Sequence, residues 1–311
     1  MSRAFVFPGQ GAQTIGMGQA LAAAFPAAQA VFDEVDAALG EPLSVLIRDG
    51  SAADLTLTAN AQPALMATSM AALRALESEG LGLDRVAFVA GHSLGEYSAL
   101  AAAGALGIGD AARLLRIRGE AMQAAVPVGQ GAMAAILGLD LATVDTIASE
   151  AAQGDVCQAA NDNDPAQVVV SGHAAAVERA VAQAKASGAK RAVLLPVSAP
   201  FHCDLMRPAA EAMAVALAEV ELRTPRVPLV ANVRAAAVTD PEEIRKLLIE
   251  QVTGTVRWRE SVAWMAAQGV TEFWEIGAGK ALGGMIRRIA RGAQIRAIGT
   301  PEDVAAALES A

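Results

Sequence analysis

A serine flanked by glycines, in the G-H-S-L-G run over residues 91–95, is the strongest candidate for chemistry in this sequence. A short apolar run at residues 86–90 precedes it, and residues 96–103 that follow are typical of a helix. A strand, a G-x-S-x-G turn and a helix form the setting of a nucleophile elbow. Glycines permit the tight turn, and the helix N-terminus places backbone N–H groups near developing negative charge. We therefore predict a nucleophile at Ser93, with an ordinary Gly-Ser turn as the alternative.

A serine hydroxyl is a poor nucleophile at neutral pH and needs a base. The sequence holds three histidines. His92 directly precedes Ser93 on the predicted strand, where neighbouring side chains point to opposite faces. His173 begins a predicted helix, whereas His202 lies in an irregular loop after a predicted strand. Elimination favours His202 as the base.

No third member of a catalytic triad is evident. Asp162 and Asp164 lie between Ser93 and His202, in the Ser…Asp…His order of many hydrolases. We predict a hairpin turn at residues 161–165, where Asn and Asp are common in any case. A backbone carbonyl can also hold the imidazole N–H, so a Ser–His dyad is an acceptable arrangement.

An arginine near the nucleophile would select an anionic substrate. Arg113, Arg116 and Arg118 follow the serine on a helix that we predict over residues 111–126. An arginine that reached the pocket would bind a carboxylate through a bidentate, charge-assisted pair. At least one of the three should lie on the surface.

Composition excludes several classes of protein. The chain has 311 residues, of which 54% are hydrophobic, 18% charged and 4% aromatic, so a large core of small aliphatic side chains is expected. A net charge of −9 argues against nucleic acid as a partner. No signal peptide and no membrane-spanning segment is expected. The two cysteines lack C-x-x-C spacing, so we expect no metal or redox site and a cytoplasmic location.

Hydrophobic patterns predict an α/β fold with a small inserted subdomain. The predicted strands of the larger part, at residues 3–7, 86–90, 229–233 and 271–276, would form a parallel sheet. Its predicted helices include residues 19–39, with a break near Pro26, and residues 61–79, with Pro63 near the first turn. From residue 132 to residue 197 the predicted order is β-α-β-β-α-β, which is ferredoxin-like. We therefore divide the chain into a discontinuous catalytic domain, 1–127 and 198–311, and an insert, 128–197.

Taken together, these residues resemble the malonyl-CoA:acyl carrier protein transacylase family. The opening signature F-P-G-Q-G-A-Q stands at residues 7–13. Further motifs follow in family order at residues 62–64, 91–96, 118–119, 161–168, 198–202 and 275–280. The motifs span almost the whole chain, which makes the resemblance specific.

The resemblance implies a hydrolase-like α/β core with a parallel sheet, plus the ferredoxin-like insert. It implies that malonyl-CoA acylates Ser93, with His202 acting first as base and then as acid. Backbone N–H groups of Gln10 and Leu94 would form the oxyanion hole. No cofactor is implied, because the CoA thioester is itself the substrate.

Further site residues follow from the same resemblance. Arg118 would hold the malonyl carboxylate, and Gln251 would lie near the imidazole and supply a backbone carbonyl. His92, Asn161 and Phe201 are expected at the substrate site. Related acyltransferases that take methylmalonyl units usually have Gln after the serine and Ser before the histidine. Leu94 and Phe201 stand there in this sequence, which favours malonyl.

The implied partners are malonyl-CoA and acyl carrier protein. Carrier proteins are usually acidic, so this acidic chain would need a local basic patch to bind one. Candidates are Lys280, Arg287 and Arg288, and the pair Lys190 and Arg191. Arg287, Arg288 and Arg291 could share a helix face through their spacing. A solvated helix face without a partner is the alternative.

Three functions remain open from the sequence. The first is malonyl transfer to acyl carrier protein in fatty acid biosynthesis, or in a stand-alone polyketide acyltransferase with the same chemistry. The second is a serine esterase or thioesterase that uses Asp162 or Asp164 as a third member. The third is a non-catalytic scaffold that has kept the fold.

Overall fold

Strands in the computed structural model, which describes residues 2–309, form two separate sheets. The strands are β1 (Ser2–Phe7), β2 (Val86–Gly91), β3 (Gly131–Leu137), β4 (Cys157–Asp164), β5 (Gln167–His173), β6 (Arg191–Leu194), β7 (Leu229–Ala231), β8 (Ala236–Val238), β9 (Val270–Ile276) and β10 (Gln294–Ile298). The helices are α1 (Gln19–Ala24), α2 (Pro26–Leu39), α3 (Leu43–Asp49), α4 (Ala52–Thr56), α5 (Thr58–Ser78), α6 (Gly95–Ala102), α7 (Ile108–Ala124), α8 (Leu141–Ala152), α9 (Ala174–Ala186), α10 (Arg207–Ala218), α11 (Pro241–Gln251), α12 (Trp258–Ala267), α13 (Ala281–Ile289) and α14 (Pro301–Leu308).

The larger sheet has the strand order β10-β9-β1-β2-β7-β8. Its pairs are parallel except at the β8 edge, where β7 and β8 are antiparallel. The α/β class with a mostly parallel sheet is confirmed, and the antiparallel edge strand β8 is an addition that the sequence analysis did not predict. Three residues of β8 are too few to show a strand pattern in the sequence.

Strand β1 lies inside the larger sheet and is buried on both faces, which explains its unbroken apolar run. Phe5 and Phe7 pack into the main core on one face, while Ala4 and Val6 pack into a second core with Trp258 on the other. Alternate side chains of a strand point to opposite faces, so a strand covered by helices on both sides must be apolar throughout.

Helix α5 begins earlier than the sequence suggested and contains Pro63 in its interior. Proline has no N–H to donate to the carbonyl oxygen of Ala59, four residues earlier. Arg116 Nη1 donates to that oxygen at 2.8 Å, so the free acceptor is satisfied from helix α7. Arg116 therefore has a role in the fold.

The smaller sheet has the order β4-β5-β3-β6 and is antiparallel throughout. Helices α8 and α9 pack on one face, and the other face joins the main core through Met133, Ala135 and Val169. The predicted β-α-β-β-α-β order is confirmed. These strands lie within the predicted insert, 128–197, while its boundaries with 1–127 and 198–311 stay a prediction.

The predicted turn at residues 161–165 is wrong, because β4 continues to Asp164. The polar residues of this strand are held by the larger part of the chain. Asp162 N donates to Val256 O at 2.9 Å, and Val256 N donates to Ala160 O at 2.9 Å. A polar run that obtains its partners from distant residues looks like a turn when only local sequence is considered.

Within residues 2–309, no helix combines the length and the apolar character that crossing a membrane requires.

Candidate active site

Ser93 lies on a sharp turn between strand β2 and helix α6, with a φ of 53° that L residues rarely adopt. Two close backbone contacts fix this turn. A Cβ on Gly91 would lie 1.9 Å from the carbonyl carbon of Gly95, and one on Gly95 would lie 2.3 Å from the carbonyl oxygen of Phe7. Both positions therefore require glycine, and the turn that they allow presents the serine hydroxyl to the cavity.

His202 lies directly against the serine. Its Nε2 is 2.7 Å from Ser93 Oγ, and its Nδ1 is 2.8 Å from the backbone carbonyl oxygen of Gln251. A carbonyl oxygen only accepts hydrogen bonds, so Nδ1 carries the proton and the Nε2 lone pair faces the hydroxyl. Burial and the charge of Arg118 lower the pKa of His202 to about 3, so the imidazole is neutral near pH 7.

Arg118, on helix α7, is buried beside the same hydroxyl. Its Nη1 donates to Gln62 Oε1 at 2.7 Å, and its Nη2 donates to Gln251 Oε1 at 2.8 Å and to Ser93 Oγ at 3.1 Å. Burial lowers its pKa, but an arginine remains charged. No carboxylate among residues 2–309 forms an ion pair with Arg118, so neutral amides hold a buried cation next to the Ser93 hydroxyl.

These groups face a cavity of about 380 Å³. Other predicted site residues line it: Gln10, His92, Leu94, Asn161 and Phe201. Apolar side chains complete the wall: Met122, Met133, Leu195 and Val197. Gln251 lies behind the imidazole and outside the lining. The cavity thus joins the Ser93 hydroxyl, the neutral imidazole of His202 and the Arg118 cation in mostly apolar surroundings.

The loop after β1 brings Gln10 to the serine turn. A Cβ on Gly9 would lie 2.8 Å from the carbonyl oxygen of His92, so the two backbones touch here. Gln10 Nε2 donates to Thr58 Oγ1 at 3.2 Å, which holds its side chain away from the turn. Leu94 is buried at the start of helix α6. Their role as an oxyanion hole remains a prediction.

His92 hydrogen-bonds to a residue other than Ser93, although strand β2 ends at Gly91 and the strand alternation expected for these neighbours does not extend to them. Its Nε2 lies 2.8 Å from Asn163 Oδ1, and its ring packs on Trp258 with the ring centroids 5.8 Å apart. Burial lowers its pKa, so this ring is neutral too. The substrate-binding roles of His92 and of Asn161, which lies on strand β4 of the smaller sheet, remain predictions.

The two aspartates considered as triad members have other partners. Asp162 pairs with Arg259 at 2.8 Å, and Asp164 pairs with Arg288 at 2.6 Å. The imidazole nitrogen that a third member would contact is already bonded to Gln251 O. Neither aspartate completes a triad in this structure.

Two buried residues behind the serine were missed by sequence reasoning. Asn232 Oδ1 accepts from Ser93 N at 2.8 Å, and Asn232 Nδ2 donates to Gly91 O at 2.7 Å. Glu96 Oε2 accepts from Gln251 Nε2 at 2.5 Å and from Asn232 N at 3.4 Å. Burial raises the pKa of Glu96 to about 7. Asn232 lies within the strand predicted at residues 229–233 and directly follows the observed β7, at the carboxyl end where α/β sheets form their sites. A polar residue near the end of an apolar predicted strand was the available signal.

The basic residues proposed for carrier binding differ in how available their charges are to a partner. Lys190, Arg191, Lys280 and Arg287 are exposed, whereas Arg288 is committed to Asp164. Helix α13 ends at Ile289, so the predicted helix face that includes Arg291 is wrong. The backbone leaves the helical conformation at Ala290, with ψ at 76°, two residues before Gly292.

Comparison with known proteins places these features in a family. Residues 4–297 match the acyl transferase domain family. The malonyl CoA-acyl carrier protein transacylase of Escherichia coli K12 is 49% identical over 98% of both chains. The crystal structure of an acyl-carrier-protein S-malonyltransferase from Bartonella henselae is 57% identical, with a TM-score of 0.97 over 100% of this chain and 99% of its own.

A third similar structure is a malonyl-transacylase solved in complex with a type II polyketide acyl-carrier protein. It is 43% identical, with a TM-score of 0.97 over 100% of both chains. These matches cover most of the chain, with high sequence identity and close agreement in fold, and together they identify its family. The chain belongs to the acyl transferase domain family.

Proposed function

We propose that this chain transfers a malonyl group from malonyl-CoA to the phosphopantetheine thiol of acyl carrier protein, through a malonyl ester on Ser93, in fatty acid biosynthesis. One observation carries the proposal. The guanidinium of Arg118 is buried, has no ion-pair partner within residues 2–309, and lies 3.1 Å from Ser93 Oγ in the same cavity. A buried cation beside an acyl-forming hydroxyl favours an acyl group that ends in a carboxylate.

Acylation would begin with proton transfer from Ser93 Oγ to His202 Nε2. The oxygen attacks the thioester carbonyl, and the backbone N–H groups of Gln10 and Leu94 would stabilise the resulting oxyanion. Collapse of this intermediate breaks the C–S bond, and His202 returns its proton to the departing CoA sulfur. The product is the malonyl ester of Ser93 and free CoA.

Transfer to the carrier would use the same groups in reverse. The carrier thiol gives its proton to His202 Nε2, and its sulfur attacks the ester carbonyl. The C–O bond to Ser93 breaks, and the serine oxygen takes the proton back. Both half-reactions visit one site in turn, which predicts ping-pong kinetics.

Gln251 supports this cycle without a charge of its own. Its carbonyl fixes the imidazole tautomer, and its side-chain oxygen orients Arg118. We propose that the reaction needs no metal or organic cofactor, because nucleophile, base and N–H donors suffice for acyl transfer. We also propose a cytoplasmic location, which the two unpaired cysteines support.

A transfer assay separates this function from the alternatives. Labelled malonyl-CoA is incubated with the protein and either holo carrier protein or its apo form, which lacks the thiol. We expect label on the holo form alone. Rapid release of malonate without carrier would favour the esterase, and absence of any reaction would favour the scaffold. Carrier proteins from fatty acid and polyketide systems, compared by kcat/KM, decide between the two pathways.

A further inference from the structure

Glu96 is a buried acidic side chain that the catalytic cycle above does not use. It lies in the first turn of helix α6, three residues after Ser93, and is 1% exposed. A buried carboxyl group is costly unless other groups hydrogen-bond to it. Among the described residues, its hydrogen-bond donors are Gln251 Nε2 and Asn232 N, and both belong to residues that contact the serine turn.

Gln251 connects Glu96 to every reacting group of the site. Its backbone oxygen holds His202 Nδ1, its side-chain oxygen holds Arg118 Nη2, and its Nε2 donates to Ser93 O at 2.9 Å as well as to Glu96. An amide can rotate or exchange its N and O ends unless its partners define both. The acceptor oxygen of Glu96 faces the Nε2 end and the Arg118 donor faces the oxygen end, so together they define the orientation of this amide.

Asn232 extends the same network to the nucleophile. Its backbone N–H donates to Glu96, while its side chain accepts from Ser93 N and donates to Gly91 O. The strained turn that carries Ser93 is therefore bonded to a residue that Glu96 also holds. One carboxyl oxygen, Glu96 Oε2, serves both branches of the network.

We infer that Glu96 is a positioning residue for acyl transfer: its Oε2 fixes Gln251 and Asn232 so that His202, Arg118 and Ser93 share one geometry. This inference rests on the proposed function. The inferred role requires an acceptor oxygen at the position of Glu96 Oε2, because this single oxygen makes both hydrogen bonds. An error of about 1 Å at a reacting group can cost on the order of 100-fold in rate, so the effect should be measurable.

Three substitutions of Glu96 distinguish the effect of side-chain length from the effect of charge. Glu96→Gln keeps an acceptor oxygen at the same distance, Glu96→Asp keeps the charge but shortens the side chain, and Glu96→Met removes the acceptor at similar length. Acylation of Ser93 by malonyl-CoA and by acetyl-CoA is followed in single turnovers, with rates taken per folded enzyme. Wild-type acylation by malonyl-CoA verifies the proposed function before any variant is compared.

We expect Glu96→Gln to stay within about threefold of wild type, and Glu96→Asp and Glu96→Met to lose about tenfold or more with either donor. The loss should be larger for malonyl-CoA, since Gln251 also orients Arg118, and this excess should vanish in the Arg118→Ala background. Glu275 offers a matched control, because it is equally buried and accepts from Leu282 N and Gly283 N, away from the site. Glu275→Met should lower the melting temperature and leave the acylation rate per folded enzyme unchanged.

The inference is overturned if Glu96→Asp acylates normally with both donors, or if Glu96→Gln loses as much as Glu96→Met. It is also overturned if Glu275→Met slows acylation as much as Glu96→Met. Because Glu96→Asp and Glu96→Gln retain a polar group in the buried site, a failure of Glu96→Met to fold would still leave the comparison decided by those two variants.

Discussion

His202 Nδ1 and the backbone carbonyl oxygen of Gln251 lie 2.8 Å apart, so a main-chain group occupies the place that a carboxylate takes in a catalytic triad. A neutral acceptor fixes the tautomer of the imidazole but stabilises its protonated form less than an anion would. Arg118, whose charge lowers the pKa of His202, acts in the same direction. The arrangement keeps the imidazole of His202 unprotonated near pH 7, as the proposed base requires.

The first prediction concerns this base. His202→Ala should retain the fold and slow acylation by roughly 10²–10⁴-fold, the range for loss of a positioned base. The matched control is His173→Ala, because His173 lies at the start of helix α9 and accepts from Val156 N, away from the cavity. Stopped-flow acylation measures both variants. Equal losses would mean that the assignment of the base is wrong.

The second prediction concerns selectivity for the carboxylate. Arg118→Ala should weaken malonyl transfer while acetyl transfer survives or improves. A hydrogen bond to a charged group contributes about 1.5–3 kcal/mol, so the ratio of malonyl to acetyl kcat/KM should fall by about 10–100-fold. If the two donors lose activity equally, Arg118 has a structural role only.

The third prediction is the pH dependence of acylation. Because the pKa of His202 is lowered to about 3, the base stays unprotonated between pH 8 and pH 5. The acylation rate should therefore show no titration near pH 6.5, the value of an unperturbed histidine. Glu96, with a pKa of about 7, titrates in the same range, so the Glu96→Gln variant is measured beside the wild type. A fall in kcat/KM for malonyl-CoA with its midpoint near pH 6.5 in both proteins would contradict the lowered pKa of His202.

Stability has a matching pH dependence. Below pH 6.5 the unfolded chain protonates His202 while the native chain does not until about pH 3. The unfolded state then binds more protons, so His202 lowers the free energy of unfolding as pH falls, by about 1.4 kcal/mol per pH unit at most. As the pH falls from 7.5 to 5, the melting temperature of His202→Ala should rise relative to that of the wild-type protein. A constant difference between the two proteins would rule this out.

The fourth prediction locates the carrier-binding surface. Reversing the charges of Lys190 and Arg191, or of Arg287 alone, should raise the KM for carrier protein and leave loading by malonyl-CoA unchanged. Carrier transfer should also weaken with added salt. Arg288 is a poor choice for this test, because reversal there would place an acid against Asp164. A wild-type KM in both variants would place docking elsewhere.

Much of the fold could be predicted from local patterns. The strand before Ser93, the tight glycine turn and the β-α-β-β-α-β order depend on periodicity and on glycine, which neighbouring residues reveal. The continuation of strand β4 as far as Asp164 could not be predicted, because Asp162 and Asp164 form ion pairs with residues of helices α12 and α13. Its polar run is explained only by residues about a hundred positions away.

The candidate site, like the fold, could be predicted from the sequence only in part. Ser93 and His202 could be found because few residue types supply a nucleophile and a base, and only three histidines compete. Gln251, Gln10 and Leu94 were reached through family resemblance alone, since backbone groups leave no trace in residue type. Asn232 and Glu96 were missed because their hydrogen bonds lie behind the serine, and the motif at residues 91–96 does not indicate what the carboxyl group of Glu96 contacts.

Intact-mass analysis after brief exposure to malonyl-CoA tests the central claim most directly. The wild-type protein should gain the mass of one malonyl group, peptide mapping should place it on Ser93, and Ser93→Ala should gain none. Holo carrier protein should then remove the adduct. An adduct that persists in Ser93→Ala, or a wild-type protein that releases malonate without ever carrying the group, would contradict the account.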